Sequence, residues 1–319
     1  MGNVLRIATR KSALAVAQTT LAAKALVSSN PGLEYELVPM TTEGDRRLDK
    51  SLASFGGKGV FIKELEVALL EERADIAVHS LKDMPAEVMP EFKLAAVLKR
   101  EDPRDAFIAR GGVNGKKFME LPSGARVGTG SIRRVVQLKA LRPDLEYVPI
   151  RGNIQTRLSK LEELDGVVLA AAGLRRMGLA DQVTEYFDTD KMLPASGQGI
   201  LAIETLADCH SGGSLATDRI QTILSRVNDA PTYCIAVAEM AFLKALNAGC
   251  QFPVASFAEF VQGSGAENAG AAPVMKIRGI YWDEASKRLL RAEYCGPVMT
   301  IEAAREAGIA LAGKIREQL

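Results

Sequence analysis

The 319-residue chain has few of the side chains from which metal and redox sites are built: it contains two histidines, His79 and His210, and four cysteines. No Cys-x-x-Cys pair occurs, and structural zinc sites need tighter ligand spacing or more histidines. Four cysteines in so long a chain do not make a disulfide framework, so we expect reduced thiols. The composition therefore argues against a classical zinc site and against a disulfide-stapled fold.

The chain also lacks an excess of charge of one sign and any long apolar run. Its 40 Lys and Arg residues face 39 Asp and Glu residues, and this net charge of +1 gives no global attraction to nucleic acid or acidic membranes. No uncharged apolar run approaches the length of a bilayer span, and the N-terminus lacks the apolar core of a signal peptide. We therefore expect a globular, cytoplasmic protein.

Nucleotide-binding loops are missing as well. The segment 128–133 begins like a G-x-G-x-x-G loop but ends in Arg133, and the segment 263–268 lies in a polar, Gly- and Ala-rich stretch. No G-x-x-x-x-G-K-[ST] sequence occurs. A dinucleotide or P-loop site is therefore disfavoured.

Strand-like apolar segments alternate with helical segments in the first third of the chain. Ser12 stands where a hydroxyl N-cap would begin the helical segment 13–27. A β-α-β-α-β order is typical of a largely parallel sheet covered by helices. We predict strands at 3–8, 35–40, 75–79 and 94–98, and a second helix at 61–72.

The same rhythm restarts after residue 105 and changes after residue 229. We predict strands at 106–109, 125–128, 147–150, 166–170 and 200–203, and helices at 132–141, 154–163 and near 218–227. A helix at 232–246, a strand at 252–260, a hairpin of 275–281 with 288–295 and a helix at 300–318 follow. The predicted fold class is therefore α/β, with two α/β lobes and a smaller α+β C-terminal domain. The predicted boundaries are 1–99 with 197–229, 100–196, and 230–319.

Positive charge is concentrated locally despite the neutral total. Between Gly124 and Lys160 there are eight basic and two acidic side chains, a local charge of +6. Arg133 and Arg134 fall in the first turn of a predicted helix with Ser131 as its N-cap, where cations oppose the helix dipole. Free N–H groups, a hydroxyl and paired guanidiniums at a helix N-terminus can bind an anion.

Several charged and hydroxyl side chains fall at the carboxyl ends of predicted strands, where ligands of parallel α/β sheets bind. A solvated basic face is the ordinary explanation for any single arginine, but it does not explain so many at these positions. The pattern predicts a site for a ligand with several carboxylates or phosphates. These residues are Arg10, Ser80, Lys82, Asp83, Thr129, Ser131, Arg133, Arg134 and Arg151.

Asp83 and Cys250 are the candidates for chemistry. Asp83 follows a buried-looking strand and could stabilise a cationic intermediate or move protons, although alone it is more typical of a helix cap or salt-bridge partner. Cys250 lies in a loop bounded by Gly249 and Pro253, which makes its thiol more available than one inside an apolar element. The other cysteines are expected to pack as small apolar groups, and His79 to be a core histidine with its polar groups satisfied.

Nine segments in the same order resemble the porphobilinogen deaminase (hydroxymethylbilane synthase) family over nearly the whole chain. Each is a weak motif alone, but the ordered set is specific. They are Arg6–Ser12, Gly56–Glu66, Asp75–Asp83, Glu101–Phe107, Val127–Arg134, Leu145–Arg157, Ala170–Gly178, Leu193–Gly199 and Gly249–Pro253.

The resemblance implies two lobes like those of periplasmic binding proteins and a third domain with a covalent dipyrromethane cofactor. It implies that Cys250 holds this cofactor through a thioether and that four porphobilinogen units are joined head to tail with release of ammonia. Water then frees the linear hydroxymethylbilane, which would pass to a downstream tetrapyrrole enzyme. Asp83 would assist deamination and stabilise positively charged pyrrole intermediates. A monomer is expected from the family.

The family's carboxylate-bearing pyrroles also imply roles for the basic and hydroxyl side chains. The residues implied for the cofactor are Cys250, Lys82, Asp83, Ser80, Thr129, Ser131, Arg133, Arg134 and Gln198, and those for the substrate are Arg10, Ser12, Lys58, Arg151, Arg157 and Arg176. No metal and no nucleotide is implied. One departure is Gly130, where the family usually has Ser or Ala, so one possible hydroxyl contact is absent.

Two rival functions are weighed against this one. A two-lobed binding protein for a polycarboxylate ligand would explain the arginines, but not the third domain with Cys250 or the lack of an export signal. An enzyme acting on phosphate esters would need a metal site or a nucleophile–base pair, and the sequence suggests neither.

Overall fold

A computed structural model describes residues 3–42, 62–207, 217–248, 252–261 and 272–319. Lys58 and Cys250 lie outside the described residues, as do Cys209 and His210. The chain forms two compact units, Met1–Glu101 with Ile200–Tyr233 and Asp102–Gly199 with Cys234–Leu319.

The first unit is built on a five-stranded sheet. Its strands are β1 (Val4–Arg10), β2 (Glu34–Met40), β3 (Ile76–Ser80), β4 (Phe92–Val97) and β10 (Leu201–Leu206), in the order β2-β1-β3-β10-β4. Strand β1 runs parallel to β2 and β3, whereas β10 runs antiparallel to both of its neighbours. Its helices are α1 (Ala13–Ser29), α2 (Lys63–Leu70) and α6 (Thr217–Ser225).

The N-terminus of α1 is fixed as its sequence predicts. The Ser12 hydroxyl accepts a hydrogen bond from the backbone N–H of Ala15 at 3.3 Å, which satisfies one of the helix's free donors. Further along α1, Ala22, Ala23 and Leu26 are fully buried in the cluster that covers one face of the sheet, together with Leu5 and Ile76.

The second unit holds a sheet of the same design. Its strands are β5 (Asp105–Ala109), β6 (Arg126–Gly128), β7 (Glu146–Val148), β8 (Gly166–Ala170) and β9 (Glu185–Tyr186), in the order β7-β6-β8-β5-β9. Strand β6 is parallel to β7 and β8, and β5 is antiparallel to β8 and β9. Its helices are α3 (Ile132–Leu141), α4 (Ile154–Leu158) and α5 (Ala171–Arg176). The prediction of largely parallel sheets is confirmed, with one reversed strand inserted in each.

The C-terminal part of the second unit is a small α+β layer. Strands β11 (Val254–Val261), β12 (Val274–Asp283) and β13 (Arg288–Pro297) form an antiparallel sheet, and helices α7 (Ala230–Ala245) and α8 (Ile301–Arg316) accompany it. The predicted hairpin and terminal helix are confirmed. The fold class of two α/β lobes and a small α+β domain is therefore confirmed. The three boundaries remain a prediction, because the second compact unit contains both the second lobe and the α+β layer.

Three local predictions differ from the structure. Helix α4 ends at Leu158 and gives way to a 3-10 turn at Ser159–Glu162, so it is not continuous to residue 163. Helix α5 and the two-residue strand β9 are additional elements that the sequence patterns do not show. Cys295 is exposed on β13, so the expectation that it packs as a buried apolar group is wrong.

Among the described residues, no helix is both long and apolar enough to cross a membrane.

Candidate active site

Arg10, Ser12 and Ser80 lie at one edge of the first sheet. Arg10 is the last residue of β1 and Ser80 the last residue of β3, and these strands are parallel neighbours in which Ala8 pairs with Ala77. Their carboxyl ends therefore meet at the same edge, as the sequence predicts. The amide of Gln18 on α1 donates to the Ser80 hydroxyl at 3.0 Å, which fixes the end of β3 against the helix.

Lys82 and Asp83 follow β3 in a single 3-10 turn, Leu81–Asp83. The side chain of Leu81 is buried and its backbone N–H donates to the carbonyl of Ile200 at 3.0 Å, which anchors the turn. Lys82 is half-buried, and Asp83 is exposed. The turn thus presents a carboxylate to solvent from a rigid strand end.

His79, one residue before the end of β3, is a buried histidine with a partner. Its Nε2 lies 2.9 Å from Oε2 of Glu204 on β10, and Glu204 is fully buried. The interpretation of His79 as a core histidine is confirmed. The sequence patterns did not identify Glu204, because its partner lies 125 residues away in the chain.

In the second unit, the loop after β6 packs tightly against the loop after β7. The backbone N–H of Thr129 donates to the carbonyl of Val148 at 3.0 Å. A Cβ atom at Gly130 would lie 2.6 Å from the carbonyl oxygen of Ile150, too close for any real side chain without a backbone shift. Glycine at this position therefore permits the close approach of these two loops. Ser131 occupies the N-cap position of α3, but its side chain makes no capping hydrogen bond.

Arg133 and Arg134 do not form an open anion trap: both are buried against Asp105. Nη1 of Arg133 lies 2.8 Å from one carboxylate oxygen of Asp105, and Nη2 of Arg134 lies 2.7 Å from the other. Arg133 also donates to the carbonyl of Leu193, and Arg134 to that of Val168. The side chains of the two arginines are about 5% and 6% exposed, respectively, and that of Asp105 is not exposed at all. The expected paired guanidiniums exist, but they carry their own counter-charge.

Asp105 is the residue that sequence reasoning missed in this network. Although burial alone would raise the pKa of its carboxyl, Arg133 and Arg134 hold that pKa well below its usual range. Gln198 also donates to Asp105, at 3.0 Å, and to the carbonyl of Pro103 at 2.8 Å. The carboxylate therefore ties β5, the first turn of α3 and the segment around Gln198 together. A hint was available, since Asp105 lies within one of the nine family-like segments, Glu101–Phe107.

Three other arginines of the second unit are more accessible. Arg151 follows β7 and is exposed, whereas Arg157 is half-buried and donates from Nε to the carbonyl of Gly152 at 2.8 Å. Arg176, at the end of α5, is half-buried and donates to the carbonyl of Gly199 at 2.6 Å. Gly152 and Gly199 adopt positive φ angles of 98° and 92°, so both carbonyls are presented by turns that favour glycine.

These features define a class of protein: a two-lobed α/β chain, with charged and hydroxyl side chains at the strand ends of each lobe, and a small α+β domain. Among solved structures, the methionine binding protein MetQ is 14% identical, with a TM-score of 0.44, covering 75% of this chain and 95% of that one. The Escherichia coli aliphatic sulphonate binding protein SsuA is 12% identical, with a TM-score of 0.38, covering 77% and 71%.

The chain belongs to the porphobilinogen deaminase family. Residues 5–211 match the family model for the porphobilinogen deaminase dipyromethane cofactor binding domain, and residues 233–317 match that for the porphobilinogen deaminase C-terminal domain. A porphobilinogen deaminase of Syntrophus aciditrophicus is 44% identical over 98% of this chain and 94% of its own length. One from Xylella fastidiosa is 45% identical over 92% and 90%. The resemblance inferred from nine short segments is thereby confirmed.

Proposed function

We propose that this chain is a porphobilinogen deaminase, a transferase that joins four porphobilinogen units head to tail and releases hydroxymethylbilane. The observation that carries the proposal is the match of both family models together with relatives at about 45% identity along most of the chain. Each addition would form a carbon–carbon bond between pyrroles and release ammonia. Water would then release the finished chain.

The side chains at the strand ends are suited to a ligand with many carboxylates. Arg151, Arg157 and Arg176 supply guanidinium donors, and Lys82 supplies an ammonium group beside Asp83. Among the described residues, the hydrogen bonds of Arg133 all use Nη1, which leaves Nε and Nη2 as donors for a ligand carboxylate. The residues present therefore fit a dipyrromethane group with acetate and propionate side chains.

We propose that a dipyrromethane is bound through a thioether to Cys250 and supplies the pyrrole carbon to which substrate is added. Its carboxylates would be held by Lys82, Arg133, Arg134 and the hydroxyls of Ser80, Thr129 and Ser131. Gln198 would act by holding Asp105 in place. Arg10, Ser12, Lys58, Arg151, Arg157 and Arg176 would bind substrate carboxylates.

The proposed role of Asp83 follows from its placement. It is an exposed carboxylate on a turn whose backbone is anchored by Leu81, and it follows Lys82 directly. A fixed carboxylate there can stabilise positive charge that develops as ammonia leaves, and it can accept a proton from the new ring junction. We also propose, from the family alone, a cytoplasmic monomer whose product passes to a downstream tetrapyrrole enzyme.

Intact-protein mass spectrometry tests the attachment. We expect an adduct of two linked pyrroles on the purified protein, and its complete loss in Cys250→Ser. Cys234→Ser serves as the matched control, because Cys234 lies on α7 and burial raises the pKa of its thiol. An unmodified protein with full activity would overturn the proposal, as would an adduct that survives in Cys250→Ser.

Asp83→Asn separates catalysis from attachment. We expect this variant to keep the adduct and to lose about 10²–10⁴-fold in turnover, the usual contribution of a positioned acid or base. The assay measures hydroxymethylbilane formed from porphobilinogen. Turnover equal to that of the unsubstituted protein would remove Asp83 from the mechanism. Persistent binding of porphobilinogen without any turnover in the unsubstituted protein would favour the rival, a two-lobed binding protein.

A further inference from the structure

A buried cluster of ionisable side chains lies in the first unit, directly behind the turn that carries Asp83. His79 on β3 and Glu66 on α2 are each 7% exposed, and Glu204 on β10 is fully buried. Oε2 of Glu204 lies 2.9 Å from Nε2 of His79. The function proposed above makes no use of these three residues.

The cluster has more acid than its one histidine can neutralise. Oε1 of Glu204 is buried and has no hydrogen-bond partner among the described residues. A buried carboxylate oxygen without a donor is costly, and a second carboxylate nearby increases that cost by repulsion. A proton is the smallest group that would satisfy the free oxygen.

Helix α2 contacts both β3 and β10, and Glu66 is its buried acidic side chain, so Glu66 is the candidate to carry this proton. Burial, and next the charge of Glu204, raise the pKa of Glu66 to about 7, while His79 acts in the opposite direction. Glu91, which precedes β4, adds further repulsion. The charged groups acting on Glu66 therefore come from β10, β3 and the segment before β4.

We propose that Glu66 and Glu204 share one proton in the folded protein, with Glu204 bound to His79 through its other oxygen. The shared proton links helix α2 to β10 and β3. In β10, Leu201 pairs with Ser80 and Ala202 with His79, so the link holds the strand end from which Asp83 projects. Glu66 and Glu204 are thus positioning residues, and this part of the inference rests on the proposed function of Asp83.

Infrared spectroscopy of the full-length protein tests the proton directly, whatever the protein's activity. We expect a protonated-carboxyl C=O band at about pH 6 that disappears by about pH 8.5, on either side of the value for Glu66. The band should be absent in Glu66→Gln. In Glu204→Gln it should disappear at a lower pH than in the unsubstituted protein, because burial still raises the pKa of Glu66 but the repulsion by Glu204 is gone. It should remain in Glu71→Gln, a matched control, because Glu71 is an exposed carboxylate at the end of the same helix. Absence of the band in the unsubstituted protein, its survival in Glu66→Gln, or an unchanged pH dependence of the band in Glu204→Gln would overturn the proposal.

Turnover tests the positioning role. Glutamine at position 66 can still donate a hydrogen bond to Glu204, so we expect Glu66→Gln to keep turnover within about twofold of the unsubstituted protein at pH 7. Glu66→Ala cannot donate, and we expect it to lose about tenfold in kcat with little change in KM. Equal turnover in the two variants would contradict the positioning role. If the unsubstituted protein itself made no hydroxymethylbilane, the proposed function would fail while the infrared result still decided whether the proton is shared.

Discussion

At the scale of single residues, the arginines that a sequence pattern assigns to ligand binding already have a protein carboxylate as partner. Asp105 accepts from both Arg133 and Arg134, and all three are buried. One carboxylate between two guanidiniums leaves a net charge of about +1 at that point. Asp105 and the backbone carbonyls therefore fix the orientation of both guanidiniums, and under the proposed function a ligand carboxylate would meet prearranged donors.

Replacing Asp105 by Asn should be strongly destabilising. The substitution leaves two buried guanidiniums without a counter-charge, and breaking a buried ion pair costs about 3–5 kcal/mol. Urea unfolding at pH 7 measures the loss in the free energy of unfolding. Asp144→Asn is the control: Asp144 pairs with Arg142 on the surface, and we expect a much smaller change.

The difference in the free energy of unfolding between the unsubstituted protein and Asp105→Asn should depend on pH in a defined direction. The pKa of Asp105 is lowered in the folded protein, so its stabilising effect is present above its pKa in the unfolded chain, about 3.9, and is lost progressively below that value. This difference in the free energy of unfolding should therefore be constant at neutral pH and become smaller in acid. If this difference became larger below pH 4, Asp105 would not be the ionised partner of the arginines.

At the scale of elements, helix α8 contains two glycines with opposite surroundings. A Cβ atom at Gly308 would lie 2.1 Å from the carbonyl oxygen of Ala238 on α7, whereas a Cβ at Gly313 would meet nothing within 4 Å. The two helices approach so closely at Gly308 that only glycine fits. Gly313 has no such requirement.

These two positions make a matched pair of alanine substitutions. Gly313→Ala should stabilise the protein by about 0.4–1 kcal/mol, because alanine restricts the unfolded chain and favours the helix. Gly308→Ala should destabilise it by about 1–3 kcal/mol, the usual cost of overpacking. Thermal unfolding followed by circular dichroism measures both. A gain in stability at both positions would contradict the close packing of α7 and α8.

Elements whose signals are local could be predicted from the sequence, and those set by distant partners could not. Helix α3 and strand β8 have the predicted bounds, because an N-cap serine or a continuous apolar run marks them. Strand β9 has only two residues and exists because β5 offers it an open edge. The same limit applies to the candidate site. The predicted strand ends gave the correct positions of Arg10, Ser80 and Thr129 in the sheets. Nothing near Arg133 in the sequence indicates that its partner is the carboxylate 28 residues earlier.

At the scale of the whole molecule, each large sheet contains one strand that runs against its neighbours. In the first sheet this strand is β10. It lies between β3 and β4 in the sheet, although it follows both of them in the chain by more than a hundred residues. Neither β3 nor β4 can complete its hydrogen bonds without it. The first lobe is therefore a single cooperative unit made of two distant chain segments.

Native-state hydrogen exchange tests this unity. The amides of β3 and β10 should exchange with the same free energy of opening, and that value should respond equally to an Ile203→Ala substitution, because Ile203 is fully buried on β10. Amides of β11–β13 serve as the internal reference and should not change. Different opening energies for β3 and β10 would show that the returning strand is a separable addition.

The reversed strand also sets the order in which the protein can fold during its synthesis. All five strands of the second sheet lie between residues 105 and 186, so that sheet can be completed before β10 has left the ribosome. The first sheet must wait until residue 206, with the edges of β3 and β4 unpaired in the meantime. Chains usually fold from the N-terminus onward as they emerge. Here the earliest segment to be made can complete its sheet only after the second sheet is finished, and during that interval its unpaired strand edges can pair with other chains.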